Sequence, residues 1–597
     1  MIPNIYLTAL ALATFGGTFA KSILLEETFV LPHGWEKADG ETTDPNHALR
    51  LSIALRQPDI DKLKRSLRSR HVTGKYTRRH LSQREALSLR DPNQEDVNQV
   101  LSWLKSRGIA GEATSDKDWI HVKTTVKDAQ DLLDTEFEFY QFEDQKPVLR
   151  TTRYSVPESV ADSISFIHPI ANFMRPKREL TRPDPSFTPS MLDSLTLEKR
   201  AGAVACNPVV TPDCLRDLYN ISYPAYNGSS SIRFGIAGFL GQNANYEDSN
   251  KFLQIFAKPL YEARYNYSIQ SVNGGQNSQN LSESGDEAAL DVQYAMALGY
   301  PTNITYYLAD GRGPALDDDG EELPEEYTDN EPYLEFLDHL LDLSDDEIPH
   351  VLSISYGDNE VSVPRKYAER VCSLFGLLTA RGTTILGASG DGGAKGSSNS
   401  SCRTNDGSNR DVAMSVFPAT CPWVTSIGGV IAGLNPPEGA DFSGGGFSQY
   451  FAREKWQDAS VDSYVKALGG HLGGYYNASN RAVPDISVVA NNYITRVRGS
   501  SGAILGTSAS TPVVAAMIAL VNDARVRKGK DVLGWINQVL YSEEVQAVLQ
   551  DVTKGESVAC DFKNSTGGWP AAKGWDAITG LGVPYDFQKL FDVLVAV

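Results

Sequence analysis

Hydrophobic positions along the chain follow three rhythms in turn. The first is one apolar run, residues 5–15, followed by small residues with Thr18 and Ala20 at the −3 and −1 positions of a cleavage site. It predicts a secretory signal over residues 1–20, although no Lys or Arg precedes the run. The second rhythm covers residues 21–175. Ile53, Leu63 and Leu67, and then Val97, Leu101 and Leu104, recur at helical spacing, while residues 119–122 and 137–140 alternate as strands. These predict a small α+β domain.

The third rhythm starts at residue 201 and continues to residue 597. Apolar runs predict strands at 231–237, 304–308, 350–355, 384–388 and 424–427, with helical segments at 249–256, 287–298, 333–343 and 365–381 between them. Alternating strands and helices imply an α/β domain, a parallel sheet covered on both faces with functional loops at the strand ends. Between the two domains, residues 176–200 turn to Pro, Ser, Thr and charge, with prolines at 183, 185 and 189. This predicts an exposed, unfolded linker. It ends in Lys199-Arg200, a dibasic pair of the kind kexin-like proteases cut, so the layout is that of a zymogen.

Composition narrows the class. A chain of 597 residues exceeds one ordinary domain, and 41% hydrophobic with 22% charged residues describes a globular protein. The formal net charge of −20 argues against nucleic acid and anionic membrane as partners. Acidic surfaces also suit proteins that work at low pH. No apolar run after the signal is long enough to span a bilayer. Six cysteines fit disulfides in an oxidising compartment. Asn-x-Ser/Thr acceptors stand at Asn220, Asn227, Asn266, Asn280, Asn303, Asn399, Asn477 and Asn564, all after residue 200. A secreted, glycosylated product is expected. Within the linker-flanking domain, the basic stretch 62–90 predicts either a solvated helix face or a surface that docks on an acidic partner domain.

Candidate chemistry gathers at three places. Residues 505–512, Leu-Gly-Thr-Ser-Ala-Ser-Thr-Pro, precede a small apolar run, which predicts a tight turn feeding a buried helix with Pro512 in its first turn. Ser508 would then sit at a helix N-terminus, where free N–H groups and the macrodipole favour developing negative charge. The same pattern also fits a Ser/Thr cap on a buried helix. Glu287 and Asp291 lie one turn apart on one face of a helix apolar nearly all round. Two carboxyls there should share a proton, although an acidic first turn favoured by the dipole would look the same. Asp391 lies in a Gly-rich turn that ends an apolar strand, suited to a turn cap or to the ligand crevice of a parallel sheet.

Together these pieces resemble the sedolisins, the serine-carboxyl peptidases, over nearly the whole chain. The matching motifs are residues 506–512, Glu287-x-x-x-Asp291 and Ser389-Gly390-Asp391, with further segments at 353–357, 417–419, 445–448 and 481–487. Cys206-Asn207-Pro208 with Thr211-Pro212-x-Cys214-Leu215 looks like the mature start of secreted fungal tripeptidyl peptidases of that family. Residues 75–76 and 94–97 resemble its prodomain, whose usual Gly-Lys-His-Leu is blurred here to Thr77-Arg78-Arg79-His80-Leu81. The resemblance implies a subtilisin-like fold after a ferredoxin-like prodomain that acts as inhibitor and chaperone. It implies a monomeric acid peptidase that takes tripeptides from free N-termini of polypeptides, with a sedolisin-type endopeptidase as the alternative. A catalytically inactive binding protein on the same fold would lack the nucleophile or an acid, and none is missing.

The family roles fall on Ser508 as nucleophile, Glu287 as base, Asp291 as its tuning partner and a protonated Asp391 as oxyanion donor. A true subtilisin would need a histidine base. The only histidines after residue 201 are His339, His350 and His471, none in a fitting motif. The resemblance further implies one Ca²⁺ held by Asp551, Asp576 and the carbonyls of Val552, Ala572 and Gly574. Ala572 stands where glycine is usual, so the site requires backbone angles that suit alanine. Cys206 and Cys214 should pair by proximity. Three pairings of Cys372, Cys402, Cys421 and Cys560 are open to the sequence, and the resemblance favours Cys402–Cys560 with Cys372–Cys421.

Overall fold

A computed structural model describes most of residues 21–173, residues 182–183 and most of residues 206–597. The longest stretches outside the described residues are 1–20, 174–181, 184–205 and 311–332. The signal, the dibasic pair and the acceptors Asn227, Asn399 and Asn564 all lie outside them. Asn220, Asn266, Asn280, Asn303 and Asn477 are exposed.

In the first domain, strands β1 (Ala48–Leu55), β2 (Gly111–Ala113), β3 (Trp119–Thr125) and β4 (Ile164–His168) form an antiparallel sheet in the order β4-β1-β3-β2. Helices α1 (Ile60–Ser69), α2 (Gln83–Arg90), α3 (Gln94–Ser106) and α4 (Val126–Leu133) accompany it. Leu63 and Leu67 lie on α1 and Val97 to Leu104 on α3, as the helical spacing predicts. Ile53 is a correction, since it lies in β1, where Leu51, Ile53 and Leu55 alternate inward on one strand face.

Among its described residues, the basic stretch docks on the second domain at several points. Arg68 pairs with Glu454, Arg90 with Asp338 at 3.2 Å, and the backbone N–H of Gln83 donates to Asp345 Oδ1 at 2.9 Å. Fully buried Asp118 on the first domain takes Arg90 at 3.6 Å and Arg370 from the second domain. Buried ions of this kind hold only as partners, so either charge alone would be strongly destabilising. Leu63, Leu67, Trp119 and Phe166 also share one apolar core with Phe375, Leu378 and Trp423.

The linker is a further correction. Arg182 and Pro183 form a short strand, β5 (Arg182–Pro183), antiparallel to Leu505 and Ile504. The reason lies in its partner, since an outer hairpin strand offers unpaired N–H and C=O groups to any extended segment, and proline is tolerated there.

The second domain carries seven parallel strands: β6 (Arg233–Gly238), β7 (Ser268–Val272), β8 (Asn303–Ala309), β9 (Val351–Ile354), β10 (Thr384–Ala388), β11 (Thr425–Val430) and β12 (Ile486–Val489). Their order is β7-β8-β6-β9-β10-β11-β12. The central strands β9, β10 and β11 are buried throughout, the mark of a sheet covered on both faces. All five predicted strands are present. The two outermost, β7 and β12, were not expected, because β7 is half-exposed and rich in Ser and Gln and β12 has only 4 residues. Next come a hairpin, β13 (Tyr493–Val497) and β14 (Ser500–Leu505), and the helices α5 (Asp286–Gly299), α6 (Tyr333–Asp342), α7 (Arg365–Ala380) and α8 (Thr507–Arg527). Helices α5 and α8 are buried almost throughout and pack on one another. Disulfides join Cys206–Cys214, Cys372–Cys421 and Cys402–Cys560.

Candidate active site and cation loops

Strand β14 delivers the chain to Gly506, whose φ of 145° few side chains would tolerate, and α8 begins at Thr507. Pro512 is therefore not in the first turn; it lies inside the helix, a correction with a local cause. A proline is missing only the N–H that would have reached the carbonyl four residues back, here Ser508. That carbonyl lies 3.5 Å from the Ser355 hydroxyl, and the preceding rung is reinforced by Thr511 Oγ1 donating to Thr507 O at 2.9 Å.

Ser508 is fully buried, and its hydroxyl donates to the Ser355 carbonyl at 3.3 Å. Ser355 follows β9 at its carboxyl end, where side chains of a parallel sheet meet their ligands. Its own hydroxyl donates to Asp291 Oδ1 at 2.9 Å. Asp291 and Glu287 are buried one turn apart on α5, and the backbone N–H of Glu287 donates to Gln242 Oε1 at 3.2 Å. Burial pushes the Asp291 carboxyl well above the usual carboxylate range, with the Ser355 bond opposing that rise. Tyr306 and Tyr356 lie beside the pair; burial pushes both phenols up, helped at Tyr306 by Asp291 and Glu287 and at Tyr356 by Tyr306 and then by the same two acids.

On the other side of the turn that carries Ser508 stands Asp391, three residues past the end of β10 and buried. Its Oδ1 accepts the Thr507 N–H at 2.8 Å and lies 3.0 Å from the Thr507 hydroxyl. The structure thus joins Ser508 to Asp291 through Ser355, and to Asp391 through Thr507. Glu287 occupies the turn of α5 before Asp291.

The histidines are engaged elsewhere. His339 Nε2 lies 3.0 Å from Gln270 Nε2, and His471 Nε2 lies 2.8 Å from the Gly568 carbonyl. His350 Nδ1 accepts the Arg233 N–H at 3.1 Å at the amino end of β9, the far end from Ser355. Burial, then Arg233 and His80, lower its imidazole to about 3.

Sequence reasoning did not identify Ser355, Thr507 or Gln242 individually. The position of Ser355, first residue beyond a wholly buried strand, was a usable signal. Gln242 carried none, because its contact is made by a loop brought to α5 from another part of the chain.

The residues expected to hold a cation form a separate group. Asp551 Oδ2 accepts the Gly574 N–H at 2.9 Å, while its buried Oδ1 has no hydrogen-bond partner. Asp576 is fully buried and accepts from the N–H groups of Ile578 at 2.9 Å, Thr579 at 2.8 Å and Ala572 at 3.3 Å. Burial lifts its carboxyl to about 7 in spite of those donors. Two carboxylates on adjacent loops, one with an orphaned buried oxygen, fit a hard cation completed by carbonyls. Among the described residues no third acidic, His or Cys ligand joins them. Ala572 is absent from the positive-φ positions, so alanine suits its backbone; Gly574, at φ 84°, uses the freedom of glycine.

With this geometry in view, similarity to known proteins covers the chain in two blocks and end to end. The family model described as Pro-kumamolisin, activation domain, matches residues 34–173, and that of the Subtilase family matches residues 334–569. The second match begins after α5, so Glu287 and Asp291 fall outside it. Tripeptidyl-peptidase SED3 of Arthroderma otae is 36% identical over 583 residues, 96% of this chain and 95% of the relative. Tripeptidyl-peptidase sed4 of Aspergillus fumigatus is 34% identical, covering 97% of both. Among solved structures, Pseudomonas sedolisin (serine-carboxyl proteinase) complexed with pseudo-iodotyrostatin covers 65% of this chain and 98% of its own, at 20% identity and a TM-score of 0.46.

Proposed function

Since the chain belongs to the sedolisin family, the serine-carboxyl peptidases, we propose that it is the zymogen of a secreted enzyme that releases tripeptides from free N-termini at acidic pH. The observation that carries this reading is the hydrogen-bonded path from Ser508 through Ser355 to a buried carboxyl on α5, with every catalytic-domain histidine bonded elsewhere. The tripeptidyl activity rests on relatives of that name aligned over nearly the full length.

In this mechanism the Ser508 hydroxyl swings from the Ser355 carbonyl to Glu287, gives up its proton there and attacks the scissile carbonyl carbon. Asp291, one turn on and buried beside it, would take up a hydrogen bond with Glu287 through Oδ2 as the proton arrives and share that proton. The new oxyanion takes a hydrogen bond from protonated Asp391. Glu287 returns its proton to the leaving amine, and water repeats the sequence to free the acyl product. Carboxyls do this work only where ambient pH lies near their pKa, so an acid optimum follows. Asp551, Asp576 and the carbonyls of Val552, Ala572 and Gly574 would hold one Ca²⁺, which braces the loops and takes no part in the chemistry. The first domain, matched by an activation-domain model, acts as the inhibitor until the linker is cut.

Digesting one peptide and its N-acetylated twin with mature enzyme at acid pH tests the reading. The free peptide should shed tripeptides in sequence and the acetylated one should resist. Equal cleavage of both at internal bonds would replace the reading with the endopeptidase.

A further inference from the structure

A protonated carboxyl is useful as an oxyanion donor only if the proton sits on the oxygen that faces the substrate. Asp391 could carry it on either oxygen, and the contacts of Thr507 discriminate between them. We propose that Thr507 is a positioning residue that confines the Asp391 proton to Oδ2, an inference that rests on the reading of Asp391 as oxyanion donor. Oδ1 accepts the Thr507 N–H at 2.8 Å, and that bond runs to an oxygen with a lone pair to offer, not a proton. The Thr507 hydroxyl adds a second donor. Its oxygen already accepts the Gly390 N–H at 3.1 Å, so its hydrogen is free to be given away. Asp391 Oδ1 at 3.0 Å is the nearer acceptor, with Gly390 O at 3.2 Å the competitor. Both donors therefore converge on Oδ1, which becomes the carbonyl oxygen of the acid and leaves Oδ2 as its hydroxyl.

The groups around this contact are identifiable. Glu287 and Asp291 lie across the nucleophile turn on α5, reached through Ser355, with Tyr306 and Tyr356 beside them. From α8 come the hydroxyls of Thr507 and Ser508, and the Gly444 backbone packs on Gly390. Lys395, in the same loop as Asp391, points to Asp561 at 3.9 Å.

Thr507→Val keeps the volume and the N–H but removes the hydroxyl. Measured in mature enzyme across pH, it should lower kcat about tenfold, the worth of one hydrogen bond to a reacting group, with KM within twofold. A donor to a carboxylate favours its ionised form, so losing it should also move the alkaline limb of the profile to higher pH. Lower kcat with a limb extended upward is a combination that mere loosening does not produce. Thr507→Ser should restore both values. On an Asp391→Ala background, Thr507→Val should cost nothing further. Should the valine variant fail to mature, the smaller Thr507→Ala carries the same expectations. Wild-type kcat in either variant, or a loss that serine does not rescue and that adds to Asp391→Ala, would overturn the proposal. Asp391→Ala retaining near-wild-type kcat would instead remove the oxyanion reading beneath it.

Discussion

Glu287 with Asp291, and Asp551 with Asp576, are both pairs of acids held away from water, yet the chain surrounds them in opposite ways. On α5 the environment is poor in donors: Asp291 receives one hydroxyl, and its Oδ2 has no hydrogen-bond partner. In the carboxyl-terminal loops Asp576 is crowded by three backbone N–H groups and a threonine hydroxyl. Desolvation raises both carboxyls, but the donors around Asp576 hold its rise to about 7. Equal burial thus yields two kinds of acid. Few donors keep a proton within reach, and many donors prepare a negative charge that a cation can complete.

The sharpest way to test the division starts at Ser508, the proposed nucleophile. Ser508→Ala should lose on the order of a millionfold in kcat while folding and holding calcium normally, as read by peptide hydrolysis and thermal melting. Detectable turnover would place the nucleophile elsewhere.

Asp291→Asn comes next, with kcat expected to fall by roughly a hundredfold to ten-thousandfold. Its stability should move the other way. The folded carboxyl is raised, so wild type has its full contribution below the unfolded value near pH 4 and loses it as pH climbs toward the folded value. Asparagine has no proton to lose. In urea titrations the variant should therefore match or exceed wild type at pH 7, and a large destabilisation there would contradict a protonated Asp291.

Asp576→Asn should show the reverse pattern, with modest effects on kcat in calcium but a lower Tm. Chelation of wild type should lower its Tm by roughly 5 °C, the scale of losing a ligand present at about a thousand times its Kd in a domain of this size. A transition indifferent to chelator in metal-free protein would end the cation assignment.

The smallest expected effect concerns a buried base. His168 stacks on Tyr367 across the domain interface at 5.6 Å, and burial followed by Arg150 lowers its imidazole to about 3. Neutral in the folded chain, it contributes fully above about pH 6.5 and loses that contribution as pH falls toward 3. In the Ser508→Ala precursor, His168→Phe should flatten the drop in Tm between pH 7 and pH 4 by a few degrees, roughly 2–4 °C. An unchanged slope would show that interface titration lies with other groups.

What the sequence disclosed follows the reach of local rules. The strands at 350–355 and 384–388 were legible because buried parallel strands are continuous apolar runs, and α5 because its acids stand out against an apolar surround. Ile53 was misplaced because three apolar residues can satisfy a helical spacing by coincidence while belonging to a strand. The start of α8 was read too late, because proline was taken as a helix opener when it only forbids one bond to Ser508. Residues 182–183 were read as unfolded because a strand can be made by its partner. The bonds through Ser355 and Thr507 join segments from 64 to 153 residues apart, and no local pattern encodes them.

The Cys402–Cys560 bridge encloses 158 residues of sequence separation, and Ser508 lies inside that ring. One end is anchored in the segment that follows Asp391, the other close before the loop of Asp576. A peptide bond cut anywhere between them would linearise the ring without releasing a fragment, so Ser508 would stay tethered to the segment that carries Asp391. A nick in that region would be a scar and not a severance.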